Sequence, residues 1–425
     1  MQIHFQKPSR ERGSVLVITL TLGVLLLVGL CSYLMLVTTQ KNIVTRSQTW
    51  NAGITMAEAG VEEALAQANS GALNFTNSGS TNMNFGNNGW TAAGGAFFMS
   101  NGLSGGTYAV SIQTNTSTPT IYSTGYTWVP ISGSIISRIV KVTTTRQALL
   151  NVGIGAVGNI DFNGNGVATD SYNSYKTNLS TLGQYDSTKT STNGNIASEG
   201  GLIDLGNHTI QGNEYLGPGA TNNNNGTVTG KIYYDYNVEF PDVSIPTDAN
   251  SWSIANTTNI SGTPTYVFRT SGNYRVLSDR PVVVNSNVVV NLNVTAPTFG
   301  PSSILIHGGI TDSGTARFFI NGPTAITITG NTAVDASNRP ENLWFLGLPS
   351  LTGITYSGTS MFIGVIYAPQ AAFTLNGGGN ASGVQGSAVV GSISMNGHYN
   401  FHYDESLATR GPTRGYVASS WLELY

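Results

Sequence analysis

Ser14–Val37, SVLVITLTLGVLLLVGLCSYLMLV, is a long run without a single charged residue. As a helix it spans about 36 Å, enough to cross a ~30 Å hydrocarbon core. A secretory signal peptide has a shorter apolar region closed by a small-x-small cleavage site. This run is longer and no Ala-x-Ala follows it, so a retained single-pass helix is expected. Lys7, Arg10 and Arg12 precede it against Lys41 and Arg46 beyond, a bias that sets the N-terminus inside and the remaining chain outside the cytoplasm. Cys31, the sole cysteine, lies within the run, which excludes an internal disulfide.

The helical pattern continues past the apolar run. Trp50, Ile54, Ala57, Val61, Leu65 and Ala68 recur every three or four residues, while Glu58, Glu62, Glu63 and Gln67 occupy the other faces. Gly53 and Gly60 each weaken a helix by about 1 kcal/mol, so this half needs a packing partner. One helix over residues 14–69 is therefore predicted, half in lipid and half on a folded domain.

These residues carry a resemblance. Arg12-Gly13-Ser14-Val15-Leu16-Val17-Ile18, the apolar run and Met56-Ala57-Glu58-Ala59-Gly60-Val61-Glu62 resemble the N-terminus of type IV pilin-like proteins, the PilX-type minor pilins most closely. The resemblance implies cleavage by a prepilin peptidase after Gly13, leaving Ser14 as the mature N-terminus. It also implies an inner-membrane anchor and other pilins or pilus-assembly proteins as partners. Major pilins carry glutamate as the fifth residue after the cut, where this sequence has Ile18. That departure suits a minor or tip-type member.

Outside the leader the chain is sparsely charged. Charged residues make up 9%, with a net charge of −3, and Lys and Arg do not cluster. A nucleic-acid surface is excluded on that ground. The 52 glycines, among many Asn, Thr and Ser, indicate β structure with tight turns. Residues 70–104 read as loop. Thr107–Thr114, Thr120–Tyr126 and Ser137–Arg146 read as three strands of a small antiparallel meander on the helix's apolar face. The same order resembles a pilin head.

From about residue 150 short apolar clusters alternate with Gly/Asn turns, as at Val282–Val284, Ile304–Ile306, Phe318–Ile320, Leu343–Leu346 and Phe373–Leu375. Leu375-Asn376-Gly377, Ile320-Asn321-Gly322 and Met395-Asn396-Gly397 repeat one strand-end turn, which favours a right-handed parallel β-helix over a β-sandwich. The segments 152–172 and 366–407, with the closing Ser420–Leu424, also resemble a Gly-rich β-helical surface domain found behind PilX-type leaders. The expected fold is thus mainly β. It comprises a leader (1–13), a transmembrane helix (14–37), an amphipathic helix with a pilin-like meander (38–148) and a β-helical domain (149–425).

Little in the chain points to chemistry. Asp161-Phe162-Asn163-Gly164-Asn165-Gly166 has the D-x-N-x-N-G opening of a calcium loop, with Asp161, Asn163 and Asn165 as candidate ligands. Tyr172 stands where the bidentate Glu belongs, so a Gly/Asn turn is the plainer reading and no metal is assigned. His398, His402, Asp404 and Glu405 are read as a cap on the final coil, with the carboxylates facing water. Asp335 and Glu341 flank a Pro-containing loop, too scattered for a glycosidase pair. No catalytic residue or cofactor is assigned, and the protein is expected not to be an enzyme. The expected function is structural: a minor component or tip and adhesive module of a type IV pilus or related filament. The alternative is a carbohydrate-active or glycan-binding β-helix protein on a pilin-type anchor, with a surface glycan as partner.

Overall fold

The computed structural model describes residues 12–69, 89–114, 118–130, 133–164, 168–223, 225–309, 311–330, 339–358, 361–376, 383–397 and 399–424. The fold is mainly β with one long N-terminal helix, and the chain divides into two compact units. The first comprises Met1–Gly71, Asn82–Arg146 and Gly415–Tyr425; the second comprises Ala72–Thr81 and Gln147–Arg414.

In the first unit, α1 (Arg12–Asn69) is one helix of 58 residues. A six-stranded sheet accompanies it, formed by β1 (Thr91–Ala93), β2 (Ala96–Leu103), β3 (Gly106–Gln113), β4 (Thr120–Trp128), β5 (Ile135–Ala148) and β6 (Thr413–Leu424). β1 to β5 pair antiparallel in sequence order. Period-two alternation buries Tyr108, Val110 and Ile112 of β3, Ile121 of β4, and Val140 and Val142 of β5 against Ala57, Val61 and Ala64 of α1.

Two features differ from the sequence expectation. Residues 91–103, which read as loop, form strands because Gly94 and Gly95, with φ +59° and +79°, supply the left-handed turn of a hairpin. The second domain, expected to run to residue 425, ends earlier, because residues 415–425 belong to the first unit. Asn69 fastens β6 there: its Nδ2 donates to the Tyr416 carbonyl at 3.0 Å and its Oδ1 accepts from the Tyr416 N–H at 2.6 Å.

The second unit is built on parallel pairing. One ladder joins, in spatial order, Ser253–Ile254, Gly272–Val276, Val289–Val294, Thr315–Ile320, Leu343–Gly347, Phe362–Asn376, Gly383–Met395, Ile154–Ala156, Ile196–Ser198, Glu214–Leu216 and Ile232–Tyr233. Spatial order is not chain order. The segments before residue 234 stack beyond the segment that ends at Met395.

A connecting strap makes that order possible. Tyr236 N–H donates to Leu216 O at 3.1 Å. Further along, Pro241 O accepts from Tyr367 Oη at 2.7 Å, Asp242 from Gln370 at 2.8 Å, and Ala249 O from Asn293 at 3.1 Å. The strap thus crosses seven ladder steps, about 34 Å at ~4.8 Å per strand. Only a largely extended chain between Tyr236 and Ala249 covers that distance. It is held by an apolar seam of Tyr236, Phe240, Val243 and Trp252 against Phe319, Trp344, Tyr367 and Val389.

Candidate functional site

α1 carries two different surfaces. From Val15 to Val44 the large apolar side chains are exposed, Leu16 at 73% and Met35 at 74%. Among the described residues this is the one helix long and apolar enough to cross a membrane. Four threonines inside it return their hydroxyls to the helix backbone. Thr19 Oγ1 donates to Val15 O at 3.0 Å, Thr21 to Ile18 O at 2.9 Å, Thr38 to Met35 O at 2.9 Å and Thr39 to Met35 O at 2.8 Å. Hydroxyls returned to the backbone in this way lower the cost of placing threonine in hydrocarbon. Gly13 and Ser14 lie in the first turn of α1.

From Thr49 onward the helix packs on the sheet. The buried line is Gly53, Met56, Ala57, Gly60, Val61, Ala64 and Ala68, joined by Gln67, which the spacing places on another face. The expected stripe of larger residues is displaced: Ile54 and Leu65 are half-buried and Trp50 is 42% exposed. Small residues occupy the centre because the backbones approach closely. A Cβ on Gly60 would lie 2.9 Å from Tyr108 Cδ2, and one on Gly125 2.5 Å from the Ala57 nitrogen. Gly53 and Gly60 are therefore contact points rather than weak places. At one margin of this contact Arg138 pairs with Glu423 of β6 and stacks 4.7 Å over the Trp50 ring.

The opposite face of the sheet holds a groove of about 450 Å³. Ser100, Ala109, Ser111 and Thr124 contribute small side chains to it, and Phe98 and Tyr122 contribute aromatic rings.

Of the calcium candidates, Asp161 and Asn163 are described. Asp161 sits within the strand Ile160–Phe162, in register with Ser394 on one side and Asp204 on the other. Asn163 N–H continues the ladder to Met395 O at 3.0 Å, and Asn165 lies outside the described residues. Among the described residues no group of three or more His, Cys, Asp and Glu side chains is placed to hold a metal.

The His402 region differs from a terminal cap. Asn400–Asp404 is covered on its far side by Ala168–Tyr172, so it lies inside the stack. His402 Nδ1 lies 2.5 Å from Asp170 Oδ1, and Tyr185 Oη donates to Asp170 Oδ2 at 2.7 Å while its ring stacks on His402 at 3.6 Å. Glu405 accepts from Ser171 Oγ at 2.9 Å and Asn193 Nδ2 at 2.8 Å. Asp404 does not face water: it is 0% exposed, with Oδ1 accepting from Ser174 N–H at 3.1 Å and Ser406 N–H at 3.0 Å. Its Oδ2 has no hydrogen-bond partner.

Burial raises the Asp404 pKa, against hydrogen bonds from Ser174 and Ser406 that lower it. A carboxyl raised on folding adds stability that is present below the unfolded pKa and lost as pH rises through the folded value. Asp404→Asn removes that loss. The variant is expected to gain on the parent as pH increases from about 4 to 7. Urea denaturation across that range measures it, and a constant difference between the two proteins contradicts it.

The Asp335–Glu341 pairing rests on Asp335, which lies outside the described residues along with His398. Glu341 instead accepts from Tyr175 Oη, whose ring lies between Arg339 at 3.9 Å and Arg410 at 3.5 Å. Sequence inspection shows no sign of this cluster, since Tyr175, Arg339 and Arg410 stand far apart along the chain.

A family profile described as a domain of unknown function (DUF7305) matches residues 255–410, under half of the chain. No curated protein matches the chain. Among solved structures, the competence-associated pilin ComZ from Thermus thermophilus is 12% identical, covering 88% of this chain and 97% of its own, with a TM-score of 0.35. A glycosylated ice-binding protein (LeIBP) from an Arctic yeast is 14% identical, covering 61% of this chain and 94% of its own, with a TM-score of 0.30.

Proposed function

We propose that this chain is a membrane-anchored, pilin-like structural protein, a minor component or tip and adhesive module of a type IV pilus or related filament. The observation that carries the reading is the division of α1. Its first half is apolar and wholly exposed, while its second half is seated on an antiparallel sheet. A helix so divided needs a lipid or helical environment for one half only. The Gly13–Ser14 junction, just ahead of the apolar run, is the proposed cut site of a prepilin peptidase. Ile18 in place of glutamate supports a minor rather than a bulk role. In this reading the second unit is a right-handed parallel β-helix outside the inner membrane. Its parallel, in-register ladders support that assignment. The Phe98–Tyr122 groove, with hydroxyl and aromatic lining, supports contact with a surface glycan.

Co-expression with a prepilin peptidase is expected to remove the leader through Gly13, so that the mature chain begins at Ser14. Mass spectrometry of the mature N-terminus reads the outcome. An intact leader, or a cut beyond Cys31, sinks the pilin reading.

A further inference from the structure

We infer that the outermost tier of the second unit, residues 217–233, is an interface that takes the same tier of a second copy of this chain. The inference rests on the tiered β-helix reading above. Thr221–Asn223, Thr227–Val228 and Ile232–Tyr233 each pair on one side only, with Leu202–Asp204, Thr209–Ile210 and Glu214–Leu216. Among the described residues no strand pairs with their other side. The amides of Thr227 and Thr229 donate back to His208 O at 2.8 Å and Ile210 O at 2.9 Å. Strand alternation therefore directs the Val228 N–H to the open side.

Short edge strands often protect a sheet from further pairing. Here they do not, because the tier beneath has strands of 3, 2 and 3 residues and is nonetheless fully stacked. The apolar interior also reaches this end: Ala220, Val228 and Ile232 pack on the core yet stay partly exposed. Repeat stacks normally close such an end with a polar cap.

Three open edges around one apolar centre define the occupant. A single extended peptide pairs with one edge and leaves the other two. A tier of the same cross-section satisfies all three, and this chain supplies one. Residues 217–234 carry a single charge, Lys231, so like tiers meet with little repulsion. The opposite end of the stack differs, since Thr257–Ile260 folds back antiparallel over Thr263–Phe268. That hairpin disfavours head-to-tail growth and leaves the two-fold, closed contact.

The test uses the full-length protein in detergent with Cys31→Ser, so that introduced cysteines are the sole thiols. Thr227→Cys is expected to give more than half of the chain as a dimer with a short bis-maleimide. Adding Val228→Pro, which removes the outward amide, should reduce the dimer to under a tenth. Asn259→Cys at the hairpin end should give under a tenth as well. No dimer at position 227, as when another segment of the chain covers the tier, overturns the proposal. So does equal cross-linking at 259 or indifference to Val228→Pro. A separate Thr355→Cys/Thr374→Cys variant checks the tiers themselves, because these residues are register partners. Its link must form within one chain, including in the Val228→Pro background. Failure there sinks the tiered reading, while success with position 227 silent sinks the dimer alone.

Discussion

Gly125→Val should separate the second half of α1 from its sheet. Gly125 faces the helix in the middle of β4, and a Cβ there overlaps the Gly53 carbonyl oxygen and comes within 2.5 Å of the Ala57 nitrogen. Both obstacles are backbone atoms, so no rotamer change relieves them. Overpacking a core costs about 1–3 kcal/mol where side chains can shift. With backbone in the way the cost should reach or exceed the top of that range. A first unit with the usual stability of about 5–15 kcal/mol loses a large share of it. Hydrogen exchange should show amides of residues 53–68 and β4 losing protection together. Gly102→Ala is the matched control, because its Cβ meets Thr107 Cγ2 at an ordinary 3.9 Å. Equal loss in both variants would falsify close helix–sheet contact as the cause.

Phe345→Ala should be the most damaging single truncation in the second unit. Phe345 is fully buried, stacked 5.3 Å from Phe318 at 12° and 6.0 Å from Phe362. Phe299 extends the same column at 5.5 Å from Phe318. Phe318, Phe345 and Phe362 come from three successive strands of the parallel ladder, so the column ties those strands together. Removing a buried Phe side chain costs about 3–5 kcal/mol through lost transfer energy and the cavity left behind. Chemical denaturation followed through the second unit should show a loss of that size. Thr327→Ser, on the exposed outer face, should stay within about 0.5 kcal/mol. A loss below about 1 kcal/mol for Phe345→Ala, well under the usual cost of such a truncation, would mean that the tiers do not share this column.

Local pattern carries part of this architecture. The uncharged run at Ser14–Val37 and the spacing that follows it locate α1 closely, because a helix is a local structure with a short period. The alternation in Thr107–Thr114 and Thr120–Tyr126 likewise marks β3 and β4. Three things are not legible. The hairpin at residues 91–103 is hidden because its turn glycines resemble those of the Gly- and Asn-rich sequence before it. The return of β6 to the first sheet depends on Asn69 and Arg138, partners that lie 347 and 285 residues away from Tyr416 and Glu423. The position of His402 escapes local reading for the same reason. Asn400–Asp404 reads as a chain end, but in space residues 168–172 cover it. Of the candidate site, the apolar half of α1 is visible as composition, whereas the small-residue contact with the sheet requires knowing which backbones meet.

The reordered stack also dictates when the protein can finish folding. Ile154 needs Ala388 as its ladder partner, and Thr169 needs Phe401, so the tiers made first wait for segments made near the other end of the chain. The first unit waits longer still, because Tyr416 must arrive before Asn69 is satisfied. Such non-local pairing makes folding slow. A nascent chain emerging from its N-terminus therefore leaves the second unit incomplete until residues 383–404 are released, and the first until its final strand follows. A frameshift or premature stop between residues 150 and 383 should thus leave no properly closed unit, not merely a shortened one.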